Sequence, residues 1–463
     1  MRDVSRNVQA GHRSRGRESG IGQKTFMRFW KLLHAPCVGF AESGVHGRRA
    51  TWLELFFDLI FVAAVAQVGR PLHADYSFAA LLRYGFLFFL IWWAWLGHTF
   101  YSTRFDTDDL IQRVLTLLQM FAVAVMAANA GEALDSRSAA GFGAAYAGMR
   151  IILVLQYLRA QSIEKSKRLT HHHAVGFGLA AGLWMVAAFL SAPLRFWVWG
   201  AAVLLDIGTT VLSGQHEKDL PPHPEHLPER FGLFTIILMG ESLVAIMRGI
   251  ESQEYWSGPA ASAAFSGMAL VFAFWWWYFD GAHAAKERHL RNAKEFRRFR
   301  VWSYAHFPLY LGIATLGIGV EHIVGLGQGV FLHGGEAWLI TVSAVIVMAS
   351  LATIAATSEQ ARSSRGLKDF LAPHCLLAAA VLLLGTLSHW LPPYAYVIVL
   401  AIVGAVQVGI SLTERRNYEP VFESRCLFNR DESLCSPANP GRHSCDGDVL
   451  QAAKDLRSRA REA

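Results

Sequence analysis

Twelve times along this chain a stretch of about 20 mostly apolar residues recurs, the length an α-helix needs to cross the hydrocarbon core of a bilayer. The runs lie at 51–69, 78–101, 112–131, 139–158, 172–192, 194–212, 230–248, 261–280, 302–323, 335–356, 369–390 and 393–413. Only helices and closed barrels leave no unpaired backbone group facing lipid. A barrel requires short segments of alternating polarity, and the runs have none. The expected class is therefore all-α: a polytopic membrane helical bundle of about 12 transmembrane helices. Composition agrees, with 53% hydrophobic residues and 17% charged ones, where a soluble globular chain carries about 25% charge. The net charge of +7 does not point to nucleic acid, because the basic residues sit in short segments between apolar runs. The five cysteines are odd in number and lack CxxC spacing, so neither a disulfide framework nor a zinc site is implied.

Residues 1–49 are largely polar and basic, which places the first run too far in for a cleaved signal peptide. They read as a disordered cytosolic arm, and 415–463 as a disordered cytosolic tail. The segments 50–213 and 229–414 read as two six-helix halves. Lys and Arg concentrate in the N-terminal arm, between runs four and five (Arg159, Lys165, Lys167, Arg168), after run eight (Lys286 to Arg300) and after run ten (Arg362, Arg365, Lys368). The alternate joins hold Arg70, Arg137, Arg195 and Arg248 singly. With twelve crossings every strongly basic segment falls on one side, so the positive-inside bias puts both termini in the cytosol.

The two halves echo each other. Run two contains IWWAWLGH and run eight FWWWYFDG; runs three and nine each open with Arg-Val and end near a glutamate, Glu132 or Glu321. Run one begins ELFFDLIF and run seven ERFGLFTI. His173 is matched by His374, and Asp206 by Gln407. Six helices per half make the halves parallel repeats, an arrangement in which transporter folds set a site between the halves.

The candidate functional residues are charges where charge is expensive. A carboxylate at the bilayer centre costs about 3 kcal/mol even on insertion scales, so such a residue is a functional-site hypothesis by default. Glu54 and Asp58 are spaced i, i+4 and share one helical face. Glu54 also suits a plain helix start, where the dipole favours negative charge; Asp58, a turn deeper, must face the interior and be paired or protonated. In PERFGLFTIILMGESLVAIM, Glu229 and Arg230 stand at the start of run seven, and Glu241 lies about 18 Å further along the axis. Gly240 and Ser242 flank Glu241 and should let a neighbouring helix approach closely. Arg150, in the middle of run four, demands a carboxylate partner, which Asp58, Asp206 or Glu241 can supply; Arg83 lies near an interface.

His98, Asp280, His283 and His306 form a second group. Asp280 and His283 share a face, but no HExxH or equivalent ligand set accompanies them, so no metal and no cofactor is expected. The histidines at 171–173 border a basic segment and read as interfacial. Pro308 and Pro373 should kink their helices. Walker A, GxSxG and dinucleotide fingerprints are absent, which argues against primary active transport by this chain alone.

The segments TWLELFFDLIFVAAVAQV and HLPERFGLFTIILMGESLVAI resemble the hallmark segments of the bacterial low temperature requirement protein A family, and the likeness extends from about residue 48 to 414. The resemblance implies a multi-pass protein of the bacterial inner membrane whose family is named for growth in the cold. It carries over as motif positions Glu54, Phe57, Asp58, Glu229, Arg230, Phe231, Gly232, Gly240 and Glu241. The expected function is a transporter or channel-like protein moving a proton, ion or small polar solute along a path lined by Glu54, Asp58, Glu229, Arg230, Glu241, Asp206 and Arg150. The expected partners are the lipid bilayer and that unidentified solute, with no nucleic acid; oligomeric state is open. The alternatives are a membrane enzyme acting on lipids near His98, Asp280, His283 and His306, or a sensor or scaffold whose charges only fix packing.

Overall fold

The computed structural model describes residues 37–38, 50–106, 109–134, 138–214, 217, 220–255, 257–282, 293–326, 331–358 and 367–428. Most of the N-terminal arm, the end of the tail, His283, Lys286, Arg288, Arg291, Arg137, Arg362 and Arg365 lie outside the described residues, and so do the readings that rest on them.

Each apolar run becomes one helix. In chain order these are α1 Trp52–Gly69, α2 Phe78–Arg104, α3 Leu110–Asn129, α4 Ala139–Ala160, α5 Lys167–Ala188, α6 Leu194–Leu212, α7 His226–Glu251, α8 Gly258–Trp276, α9 Ala293–Gly325, α10 Gly334–Ala356, α11 Leu367–Thr386 and α12 Pro393–Phe428. A π-helical turn, Trp277–Ala282, prolongs α8. The β structure among the described residues is one antiparallel pairing of Cys37–Val38 with Phe105–Asp106. Among the described residues eleven helices are long and apolar enough to cross a membrane. The exception is α5, whose opening KRLTHHH lowers its hydropathy, although it packs along both α4 and α6. Pro308 and Pro373 both lie inside helices, α9 and α11.

The distribution of apolar residues suits lipid. Phe121, Leu179, Leu204, Phe265 and Leu376 sit midway along their helices and are exposed, where a water-soluble bundle would place polar side chains. Inside, aromatic rings fill the joint between α2, α7 and α9. Trp95 lies 4.4 Å from Phe234, and Phe231 4.9 Å from Trp302, ring centre to ring centre. Small residues bring α7 and α9 close. A β-carbon on Gly317 would meet that of Ser242 at 3.0 Å, and one on Gly249 would stand 2.6 Å from the Glu321 carbonyl oxygen. Gly240 departs from expectation, because it faces open space; the close approach belongs to Ser242 and Gly249 instead.

Some neighbour relations recur along the chain, although the packing of α5 on α6 and of α8 on α9 has no comparable counterpart. Helix α1 packs on α2 and α3, α3 on α4, and α4 on α5; α7 packs on α8 and α9, α9 on α10, and α10 on α11. Helices α1 and α7 also pack on each other, and their first turns meet through a hydrogen bond from the Ala50 amide to Glu229 Oε2, 3.0 Å. The start of α1, the start of α7 and the end of α2 therefore share one end of the bundle.

Candidate functional site

The most densely paired intramembrane charges lie at that end. Thr51 caps α1: its hydroxyl accepts from the Glu54 amide at 3.2 Å, and Glu54 Oε2 accepts from the Thr51 amide at 2.8 Å. This capping box serves two otherwise unpaired amides, so the plain helix-start role expected of Glu54 is real. The carboxylate does more, because Arg230 Nη1 lies 3.1 Å from its Oε1 and His226 Nε2 3.2 Å from its Oε2.

One turn deeper, Asp58 takes Arg230 in a forked pair, with Nη2 to Oδ1 at 2.6 Å and Nε to Oδ2 at 3.1 Å. The Trp95 indole N–H donates to the same Oδ1 at 2.7 Å, and Arg230 Nη1 donates to the Ser102 hydroxyl at 3.3 Å. Asp58, Arg230 and His226 are fully buried. The planar guanidinium explains why arginine stands here: its fixed fork satisfies two carboxylates and a hydroxyl at once. Helices α1, α2 and α7 are thereby tied at one point. Beside it, His98 stacks on Phe57 with ring centres 4.0 Å apart.

A second buried unit joins α4 to α6. Arg150 finds its partner in Asp206, one of the three candidates, with Nε 3.0 Å from Oδ2. The Nε hydrogen is not aimed at that oxygen, so Nε and Nη1 both lack an acceptor, as Asp206 Oδ1 lacks a donor. Tyr146 bridges the pair, its hydroxyl accepting from Arg150 Nη2 at 2.8 Å and donating to Asp206 Oδ2 at 3.3 Å.

Glu241 belongs to neither unit. It lies toward the other end of α7, about 17 Å along the axis from Arg230, where Arg248 Nη1 meets it at 3.1 Å and Arg248 Nη2 meets Glu321 at 3.1 Å. His73 stands 3.9 Å from Glu321, and His322 3.0 Å from Glu336. This network is only partly buried. Next to it, burial and the charges of Glu336 and Glu321 push the Tyr76 phenol up to about 12. In the same join, hydrogen bonds from the Ser77 amide and hydroxyl hold the Asp75 carboxyl below its ordinary value.

Several sequence readings change here. The seven candidate residues do not line one surface: Glu54, Asp58, Glu229 and Arg230 gather at one end, Arg150 and Asp206 pair apart from them, and Glu241 sits near the opposite end. His173 is buried, stacked on Tyr157 at 4.9 Å, because α5 begins at Lys167 and turns it inward from the second helical turn. His374 pairs with Gln407, while Asp206, matched to Gln407 in sequence, pairs with Arg150. The described members of the histidine group stand apart: Asp280 accepts from the Trp276 indole at 3.0 Å, and His306 pairs with the Tyr278 hydroxyl at 3.0 Å. Among the described residues no three His, Cys, Asp or Glu side chains are placed to hold a metal ion.

His226, Trp95, Ser102 and Tyr146 were not legible as partners. His226 offered one signal, lying four residues before Arg230 and hence on the same face. Trp95 offered none within a run of tryptophans.

Comparison with known proteins points one way. The profile described as bacterial low temperature requirement A protein (LtrA) matches residues 49–408. An uncharacterized protein of Rhizobium meliloti (strain 1021) is 26% identical over 323 residues, which covers 65% of this chain and 79% of that protein.

Proposed function

We infer that this chain, which belongs to the bacterial low temperature requirement A protein (LtrA) family, works as a transporter or channel-like protein that moves a proton, ion or small polar solute between two six-helix repeats. A partial recurrence of helix neighbours, α1 on α3 and α3 on α4 beside α7 on α9 and α9 on α10, is what supports the duplication. The basic bias of the joins supports a start-of-α1 end that faces the cytosol, with both termini on that side.

One observation carries the reading. The carboxylates of α1 are held by Arg230 of α7, so the buried charges join one half to the other. An ion pair between two halves is a two-state element: closed while paired, open when a proton or cation takes the carboxylate in place of the guanidinium. At the other end, His73 beside Glu321 again spans the halves, and Arg248 ties Glu321 to Glu241. Asp58 and Glu241 act in this scheme as parts of two opposed gates rather than as neighbours on one wall.

The test is flux in proteoliposomes, read with internal pH-, Na⁺- and K⁺-sensitive dyes, each under the matching imposed gradient. Wild-type protein should dissipate at least one gradient, and Asp58→Asn and Glu241→Gln should reconstitute normally yet pass nothing. Full flux in both variants, or none from the wild type under any gradient, overturns the reading. The same pairs favour one other role, a scaffold whose charges only fix helix packing; there the wild type passes no gradient, and the two substitutions act on stability alone.

A further inference from the structure

Between α2, α4, α5 and the end of α6 lies a cavity of about 20 Å³ whose polar lining is Arg104, Arg150, Tyr157, His173, Thr210 and Glu217. Its volume admits one water-sized occupant. From this cavity we propose a binding site for a single halide-sized monovalent anion, chloride being the natural candidate, held between the guanidinium groups of Arg104 and Arg150.

Three observations converge on it. The first is orphaned donors. Arg104 and Arg150 are 2% and 0% exposed, and Arg104 Nε and Arg150 Nη1 have no acceptor. An unpaired buried donor costs about 1–3 kcal/mol, and these two belong to charged groups lining one cavity. The second is charge. Two guanidinium groups, Arg104 and Arg150, line the cavity against one carboxylate, Glu217, while Asp206 meets Arg150 from outside that lining.

The third is shape. Gly97 lines the same wall, and a β-carbon there would come 2.8 Å from Arg150 Nη1, so only glycine leaves this face of the guanidinium open. Phe177 closes one side of the site, its ring centre 5.3 Å from the Arg150 carbon. A phosphate or a lipid headgroup is too large for the volume. The site is separate from the Arg230 cluster and stands or falls independently of transport, because it is read by binding rather than flux.

The experiment is equilibrium binding of radiolabelled chloride to purified full-length protein in detergent, with gluconate as the inert counter-anion. The expected result is saturable binding of one chloride per chain, displaced by bromide and not by phosphate. Tyr157→Phe, which keeps the volume, should weaken binding several-fold, and Arg104→Gln and Gly97→Ala should abolish it. No saturable binding to wild type, or binding undiminished in all three variants, overturns the proposal. If the arginine and glycine variants fail to fold, bromide-soaked wild-type crystals decide: an anomalous peak between Arg104 and Arg150 supports the site, and a bromide-free cavity overturns it.

Discussion

Replacing Arg230 by methionine tests the central physical claim, that one buried guanidinium is shared by two carboxylates. Arg230 is fully buried and contacts Asp58 at 2.6 and 3.1 Å and Glu54 at 3.1 Å; methionine keeps only the apolar stem and removes the guanidinium. Its removal strands both carboxylates, with Trp95, Thr51 and His226 as the remaining donors. Breaking a buried pair by removing one partner costs about 3–5 kcal/mol, and two stranded anions place this variant at the upper end. Asp58→Asn is different, because it leaves Arg230 facing Glu54, one charge against one. Its cost is that of weakened bonds to a charged group, about 1.5–3 kcal/mol. In the double variant only Glu54 is stranded, so the two effects should fall short of their sum by about 1–3 kcal/mol. Equilibrium unfolding in mixed SDS–detergent micelles, followed by circular dichroism, gives all three values. A cost for Asp58→Asn equal to that of Arg230→Met, or additivity within about 0.5 kcal/mol, would refute the shared-cation reasoning.

Other substitutions should behave as their surroundings dictate. Trp95→Phe removes the donor to Asp58 and leaves space where half of a fully buried indole stood, and should cost about 2–4 kcal/mol in the same assay. Gly249→Ala drives a methyl group toward the Glu321 carbonyl and should cost about 1–3 kcal/mol, while Gly240→Ala, facing open space, should change stability by no more than about 0.5 kcal/mol. Arg248→Gln loosens a network whose arginine side chain is 41% exposed, so its stability cost should stay under about 1 kcal/mol even if flux is lost. A loss above 3 kcal/mol there would show that the far-end network is packed dry.

Much of the site was written in residue type but not in pairing. Arg150 in an apolar run announced that a carboxylate must neutralise it, since an unpaired charge is not tolerated in lipid; nothing in the spacing chose Asp206 over Asp58 or Glu241. That choice depends on how α4 turns its face to α6. The joining of Asp58 and Arg230, 172 residues apart, depends likewise on α1 and α7 lying side by side. Glu241 looked like a companion of Asp58 because both interrupt apolar runs, whereas helix rise along α7 sets it at the opposite end.

By itself the sequence determined that the chain is a helical membrane bundle, where most of its helices lie to within a few residues (the start of α9 and the end of α12 excepted), and which side chains must be buried in spite of their charge. Those conclusions need only the length of an apolar run and the cost of an unpaired polar group in hydrocarbon, both local properties. Tertiary structure alone decided the partners: Arg230 as the cation shared across α1 and α7, Tyr146 as the bridge between Arg150 and Asp206, and Gly97 as the opening beside Arg150. Partnership is set by which helix faces meet and at what depth, and in a bilayer, where every outward face is equally apolar, hydropathy carries no record of that choice.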